Sequence, residues 1–160
     1  MFKKVGRKFY FEDAKVGYLN FRGEENTFNK EGDRNFILFL DEEDALALDA
    51  EGFNVTFPKE NSDITNDEHT ESWKPLAKLK VLIKFDKYPP ELFLVENENV
   101  TQLTEETAAQ IDSSEKETID LVINKGYWKY GGKSGISAYL SKIYVVVKTD
   151  VFDNKYGRYS

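Results

Sequence analysis

The chain contains no cysteine, so neither a disulfide framework nor a thiolate metal site is open to it. Its one histidine, His69, stands in the polar stretch Asn66-Asp67-Glu68-His69-Thr70-Glu71. A solvated loop side chain is expected there, not a zinc ligand or a member of a catalytic triad. With one histidine and no cysteine, no nucleophile–base pair can be assembled. No apolar run approaches the length of a membrane span, so no membrane partner is expected. The start, Met1-Phe2-Lys3-Lys4-Val5-Gly6-Arg7-Lys8, is basic but lacks the apolar centre of a signal peptide. These absences lead to the expectation of a soluble cytoplasmic protein with no catalytic residues, metal or cofactor.

The 160 residues suffice for one domain with a sizeable core. The formal net charge of −7 argues at first against nucleic acid. Its distribution matters more than its sum. Phe2–Lys8 carries Lys3, Lys4, Arg7 and Lys8 and no acid, and Ile119–Lys148 carries five lysines against the single Asp120. The acids concentrate between Asp41 and Glu71, where Lys59 is the only base. Solvated faces explain any one such run, and a functional reading depends on where the cations sit.

Gly131-Gly132-Lys133-Ser134-Gly135 invites a nucleotide-binding reading that its spacing excludes. A P-loop needs glycine, four residues, then Gly-Lys-Ser/Thr and a helix. The residue five before Gly132 is Tyr127, and Ile136–Val147 reads as a strand. The glycines instead predict a β-hairpin turn with positive φ. Before it, Tyr127-Trp128-Lys129-Tyr130 alternates aromatics with a cation.

The rest of the chain reads mainly as β. Strands are expected at Lys8–Arg22, with a bulge or bend near Gly17, and at Arg34–Asp41. Glu42–Glu51 reads as a short helix with acids in its first turn, ended by Gly52. Phe53–Phe57 reads as a strand, and about 58–75 as a mobile acidic loop. From Lys78 to Phe85, Leu79, Val81, Ile83 and Phe85 alternate with Lys78, Lys80, Leu82 and Lys84, as in a half-buried strand. Tyr88-Pro89-Pro90 turns the chain into a strand at Glu91–Glu96. Thr104 reads as the N-cap of a helix through Ile111. Thr118–Asn124 and Gly126–Tyr130 read as strands before the last one, and about 150–160 as a short extension.

In the last strand Ile136, Ala138 and Leu140 share one parity, and Ile143, Val145 and Val147 the other. A one-residue slip in a long strand predicts a β-bulge or bend. Small closed barrels need such bent strands. The expected fold is therefore a single mainly β domain, an OB-fold-like Greek-key barrel with short helical inserts. An immunoglobulin-like sandwich fits the same pattern less well, because of the internal helices.

On such a sheet Lys78, Lys80, Lys84, Lys129 and Lys133 would line a positive groove, and Arg34 would add a phosphate contact or a guanidinium stack. The exposed members of Phe21, Phe28, Phe36, Tyr88, Tyr127, Trp128 and Tyr130 would stack bases. Each stack contributes about 1–3 kcal/mol and tolerates any base. Core burial competes for every one of these rings, and Phe36, Phe39 and Phe85 sit in patterns that bury them. Tyr127 shares its parity with Lys129, and Trp128 with Tyr130, so one pair points inward if that strand is half-buried.

The run Gly132-Lys133-Ser134-Gly135-Ile136-Ser137-Ala138-Tyr139-Leu140, with Ile143 and Val145, resembles the last-strand pattern of phage-encoded single-stranded DNA-binding proteins. Asn20-Phe21-Arg22-Gly23, Phe28-Asn29, Gly32, Arg34-Asn35-Phe36 and Tyr88-Pro89-Pro90 extend the similarity over most of the chain as separated short motifs. The resemblance implies an OB-fold that coats single-stranded DNA during phage replication or recombination. It would place Arg34, Phe36, Trp128, Tyr130 and Lys133 on or near the DNA, and implies replication or recombination proteins as further partners. Many members finish in a strongly acidic tail that recruits partners, whereas this sequence ends Val151-Phe152-Asp153-Asn154-Lys155-Tyr156-Gly157-Arg158-Tyr159-Ser160. Recruitment through a tail is thus not implied.

Two rival classes remain. A metal-dependent nuclease needs carboxylates converging from several elements. Asp41-Glu42-Glu43-Asp44 are consecutive and open a helix, where capping accounts for them. A structural or adaptor phage protein would assemble without nucleic acid. A duplex reader is disfavoured, because both candidate helices are acidic.

Overall fold

The computed structural model describes residues 2–23, 33–58 and 76–148. The expected acidic loop, the C-terminal extension, Phe28 and His69 lie outside the described residues, apart from Pro58.

Within these bounds lie nine strands and two short helices. In chain order they are β1 (Lys3–Val5), β2 (Lys8–Phe11), β3 (Lys15–Asn20), β4 (Arg34–Leu40), α1 (Glu42–Ala50), β5 (Ala77–Ile83), β6 (Glu91–Glu96), β7 (Asn99–Leu103), α2 (Ala109–Ser113), β8 (Lys116–Tyr130) and β9 (Lys133–Val147). The sheet runs β1-β2-β8-β9-β5-β4-β3, with the β6–β7 hairpin added to β9.

The hydrogen-bonded path is open, ending on β1 and β3. Its two sides are nevertheless joined by the chain itself. β2 pairs with β8, β3 pairs with β4, and only Glu12–Ala14 separates them. Asp13 bends the chain there with φ 48°, its N–H donating to Asp120 Oδ1 at 2.8 Å. Ala14 N–H still donates to Ile119 O at 2.7 Å before the chain leaves β8. The ring β2/β3–β4–β5–β9–β8 is thus completed by a covalent bend, in the manner of a partly open, OB-like barrel.

β9 serves two parts of this sheet, as its change of phase predicts. Its first half pairs in parallel with β5, its second half in parallel with β6. The register against β8 steps from Val122↔Lys142 to Ile123↔Leu140, which leaves Ser141 as the extra residue of a bulge. Inward positions on both sides of the step are apolar and buried, including Ala138, Leu140, Ile143 and Val145. They meet Phe9, Phe36, Leu38, Leu79, Val81 and Ile123 from the other strands. Ala45 and Leu48 of α1 and Phe53 join the same core.

Several expected elements differ. Phe53–Phe57 forms only isolated bridges, Phe53 to Ile136 and Thr56 to Lys78. The two strands expected at 118–130 are one continuous β8. Thr104 opens a turn rather than a helix: Thr104 N–H donates to Thr107 Oγ1 at 2.7 Å, and such local side-chain bonds compete with helix. β1 and β7 were not foreseen. The turn before β7 uses positive φ at Asn97 and Glu98, and without a glycine it leaves little mark in sequence.

Candidate nucleic-acid interface

Cross-strand register places one set of side chains on the outer side of the sheet. Lys15, Phe39 and Lys78 lie opposite one another across β3, β4 and β5, and Gly17, Ile37 and Lys80 form the next row. Leu82 then aligns with Tyr139, and Tyr139 with Asn124. Beyond this row β8 and β9 continue as an arm, with Gly126 opposite Ser137, Trp128 opposite Gly135 and Tyr130 opposite Lys133. Gly131 and Gly132, both at positive φ, close the arm as the sequence predicts.

Among the described residues, the strands that build the outer face carry cations and no carboxylate. β4, β5, β9 and the 121–130 stretch of β8 contain no Asp or Glu. Lys78, Lys80 and Lys133 are exposed, and Lys84 is half-buried at the end of the β5 row. β5 and β9 pair only at Val81↔Ala138 and Leu82↔Tyr139. Where they diverge, a shallow cleft of about 130 Å³ opens between Lys80, Leu82, Ile136, Ser137 and Asn54.

Three aromatic rings on this face lie across glycines. Trp128 covers Gly135, where an added Cβ would stand 2.6 Å from the indole. Tyr139 covers Gly126 closely enough that a Cβ would overlap its ring. Phe39 covers Gly17, with a ring carbon 2.8 Å from a Cβ there. A glycine lets a ring lie against the backbone, so its other side faces outward as a flat platform. Two further rings flank the platforms. Tyr88 packs on Tyr139 at 4.8 Å between centroids. Tyr18, 75% exposed, stands 6.4 Å from Phe39. Its φ of 51° belongs to the register shift between Gly17 and Asn20, an irregularity that re-aims the side chain.

The residues singled out from sequence separate into four groups. Lys80, Lys84, Tyr88, Trp128, Tyr130 and Lys133 fall on the outer face by register or by ring contact. Tyr127 and Lys129 fall on the opposite side of the arm, yet both are exposed. The arm extends past the core, so neither aromatic pair is forced inward. Phe21 and Phe36 do not fit a stacking role. Both are fully buried and stack on one another at 5.7 Å and 9°, because alternation in β4 turns Phe36 to the core. Arg34 sits beside them: its Nε donates to Phe21 O at 3.0 Å, Nη1 to Glu105 Oε1 at 3.2 Å, and it lies 5.2 Å over the Phe85 ring. These contacts assign it to holding the chain at Phe21.

Tyr139, Phe39, Tyr18 and Lys15 were missed. Outward parity of Tyr139 was legible from buried Ala138 and Leu140, but its glycine partner across the hairpin was not. Phe39, expected in the core, is half-buried on the outer face.

The arm's inner base is anchored. Glu51, at the C-terminus of α1, accepts from Lys4 (2.8 Å) and Lys125 (2.9 Å). These two hydrogen bonds, Lys4 first, hold its carboxyl below the ordinary value of 4.5. Ile136 seats over Gly52, whose φ is +99°. Two acids at the start of α1 accept backbone donors: Asp41 Oδ1 accepts Asp44 N–H at 2.8 Å as an N-cap, and Asp44 Oδ1 accepts Phe2 N–H at 3.4 Å. Among the described residues, no group of three or more His, Cys, Asp or Glu could hold a metal ion. Among them too, no helix is long and apolar enough to cross a membrane.

A protein-family model described as a "putative phage ssDNA-binding domain" matches residues 2–159. No curated protein sequence matches the chain. Two solved structures of a single-stranded DNA-binding protein from bacteriophage Enc34, one a C-terminal truncation and one in complex with ssDNA, are similar to it. Each covers 92% of this chain and 94% of its own, with a TM-score of 0.52 and 10% identity. At that identity the likeness is one of fold.

Proposed function

The chain belongs to the family of phage ssDNA-binding domains, and from that premise we propose that it binds and coats single-stranded DNA on the outer face of β4, β5 and the β8–β9 arm. Binding is largely independent of sequence. Bases stack on Phe39, Tyr139 and Trp128, while Lys15, Lys78, Lys80 and Lys133 neutralise phosphates. The observation that carries this reading is the set of three aromatic rings laid across glycines, on described strands that hold lysines and no carboxylate.

The protein acts as a single domain without catalysis, during phage DNA replication or recombination, in the cytoplasm of the host bacterium. Occupation of Asp41 as the helix N-cap and of Asp44 by the Phe2 N–H supports binding over metal-dependent cleavage. The test is a titration of labelled single-stranded and duplex oligonucleotides at low and moderate salt. Salt-sensitive, length-dependent preference for single strands is expected. No binding at low salt would refute the reading, and metal-dependent cleavage would favour the nuclease.

A further inference from the structure

The basic run at the start of the chain is not used by the interface described above, and its place in the fold gives it a role. Lys8 pairs with Asn124, and Val5 with Lys8. Asn124 in turn pairs with Tyr139, and Tyr139 with Leu82. One row of outward positions therefore crosses five strands, from Leu82 through Tyr139, Asn124 and Lys8 to Val5. Lys8 lies two strand spacings from Tyr139, about 10 Å. Gly6, at φ 63°, and Arg7 form the turn that carries the chain from β1 to β2, beside the base of the arm.

The cations of this hairpin are not equivalent. Lys4 points to the inner side, over the Phe9 ring and onto Glu51. Lys3 and Lys8 fall on the outer side by register. Lys3, Arg7 and Lys8 are exposed and make no ion pair among the described residues. No acid occurs between Phe2 and Phe11. Exposed cations beside the Tyr139 ring match the demand of a sugar–phosphate backbone leaving that ring.

We propose that the β1–β2 hairpin is an extension of the single-strand site, in which Arg7 and Lys8 bind phosphates of nucleotides that run past Tyr139 across β8. This rests on the proposed binding face and adds a direction to it: the strand crosses the sheet from β4 and β5 towards β1. The extension makes no base contact and carries no sequence preference. It lengthens the site and steepens its salt dependence.

The test compares the intact protein with the double variant Arg7→Ala/Lys8→Ala, and with Lys148→Ala as a remote single-charge control. Oligonucleotides of about 6 and about 16 nucleotides bracket what one OB fold covers. For the longer oligonucleotide the variant should lose affinity, and its log–log salt slope should fall by about 1.4, at about 0.7 per released contact on single strands. The shorter one should bind nearly as to the intact protein, and Lys148→Ala should change neither. Unchanged binding of both lengths by the double variant, while Trp128→Ala weakens both, would overturn the extension and leave the main face standing. Equal losses at both lengths, or a loss per charge matched by Lys148→Ala, would overturn it as a general field effect. If the intact protein binds neither oligonucleotide at low salt, the main reading itself falls.

Discussion

The ring of Tyr139 lies across Gly126, diagonally opposite it in the β8–β9 ladder, so closely that no β-carbon fits between them. Gly126 is buried beneath the ring, and Tyr139 is half-buried with its other side outward. Gly126→Ala should therefore lift the ring from the sheet. Overpacking of this kind costs about 1–3 kcal/mol. Chemical denaturation should show lower stability, and oligonucleotide affinity should fall with it. An alanine variant that keeps both would show that the ring's seat is dispensable.

The outer and inner aromatics should respond differently to truncation. Trp128→Ala and Tyr139→Ala each remove one stacking platform, and affinity should drop by about 5- to 150-fold, matching about 1–3 kcal/mol. Phe36→Ala instead empties the core beside Phe21 and should cost about 3–5 kcal/mol of folding stability. Paired binding and denaturation curves separate the two effects. Parallel losses of affinity and stability at Trp128 would count against stacking there.

Charge on the outer face should set the salt dependence. Lys133→Glu and Lys80→Glu should weaken binding without unfolding the protein, each lowering the salt slope by about 0.7 or more. Arg34→Ala should act mainly on stability, since it loses the bonds to Phe21 O and Glu105. Unchanged binding by folded Lys133→Glu would remove that residue from the site.

Glu51 makes stability depend on pH in the acid range. Hydrogen bonds from Lys4 and then Lys125 lower its folded value below 4.5. The unfolded chain thus takes up the proton first as pH falls. The contribution is full above the ordinary value and disappears as pH drops through the lowered folded value. Glu51→Gln should melt earlier than the intact protein at neutral pH, with the gap closing as pH falls through the lowered folded value. A gap that persists there would mean that packing, not charge, is what Glu51 supplies. Faster amide exchange around Lys125 and Ile136 in the variant would report a loosened arm base.

Much of the fold was legible because alternation records burial directly. Lys78–Ile83 declares one apolar and one cationic face, and the parity change after Leu140 declares the bulge at Ser141. Asp41 and Gly52 mark the ends of α1 through capping and positive φ. β7 was not legible, since its turn sets Asn97 and Glu98 at positive φ without a glycine.

The candidate site was only half readable for a related reason. Sequence shows which residues face outward along one strand, and so it gave Lys80, Trp128, Tyr130 and Lys133. Which residue lies opposite depends on pairing between distant segments. Phe39 over Gly17 and the row from Leu82 to Lys8 exist only once β4 meets β3 and β8 meets β2. Phe21 and Phe36 show the converse. Both are aromatics in strand-forming stretches, and only the packing of β4 against the rest of the core decides that they never reach solvent. The sequence by itself determined the period-two faces, the hairpin glycines and the absence of thiols, because these rest on local backbone preference and composition. Tertiary structure alone decided which rings lie across glycines and where the exposed cations stand, because cross-strand contacts are set by register.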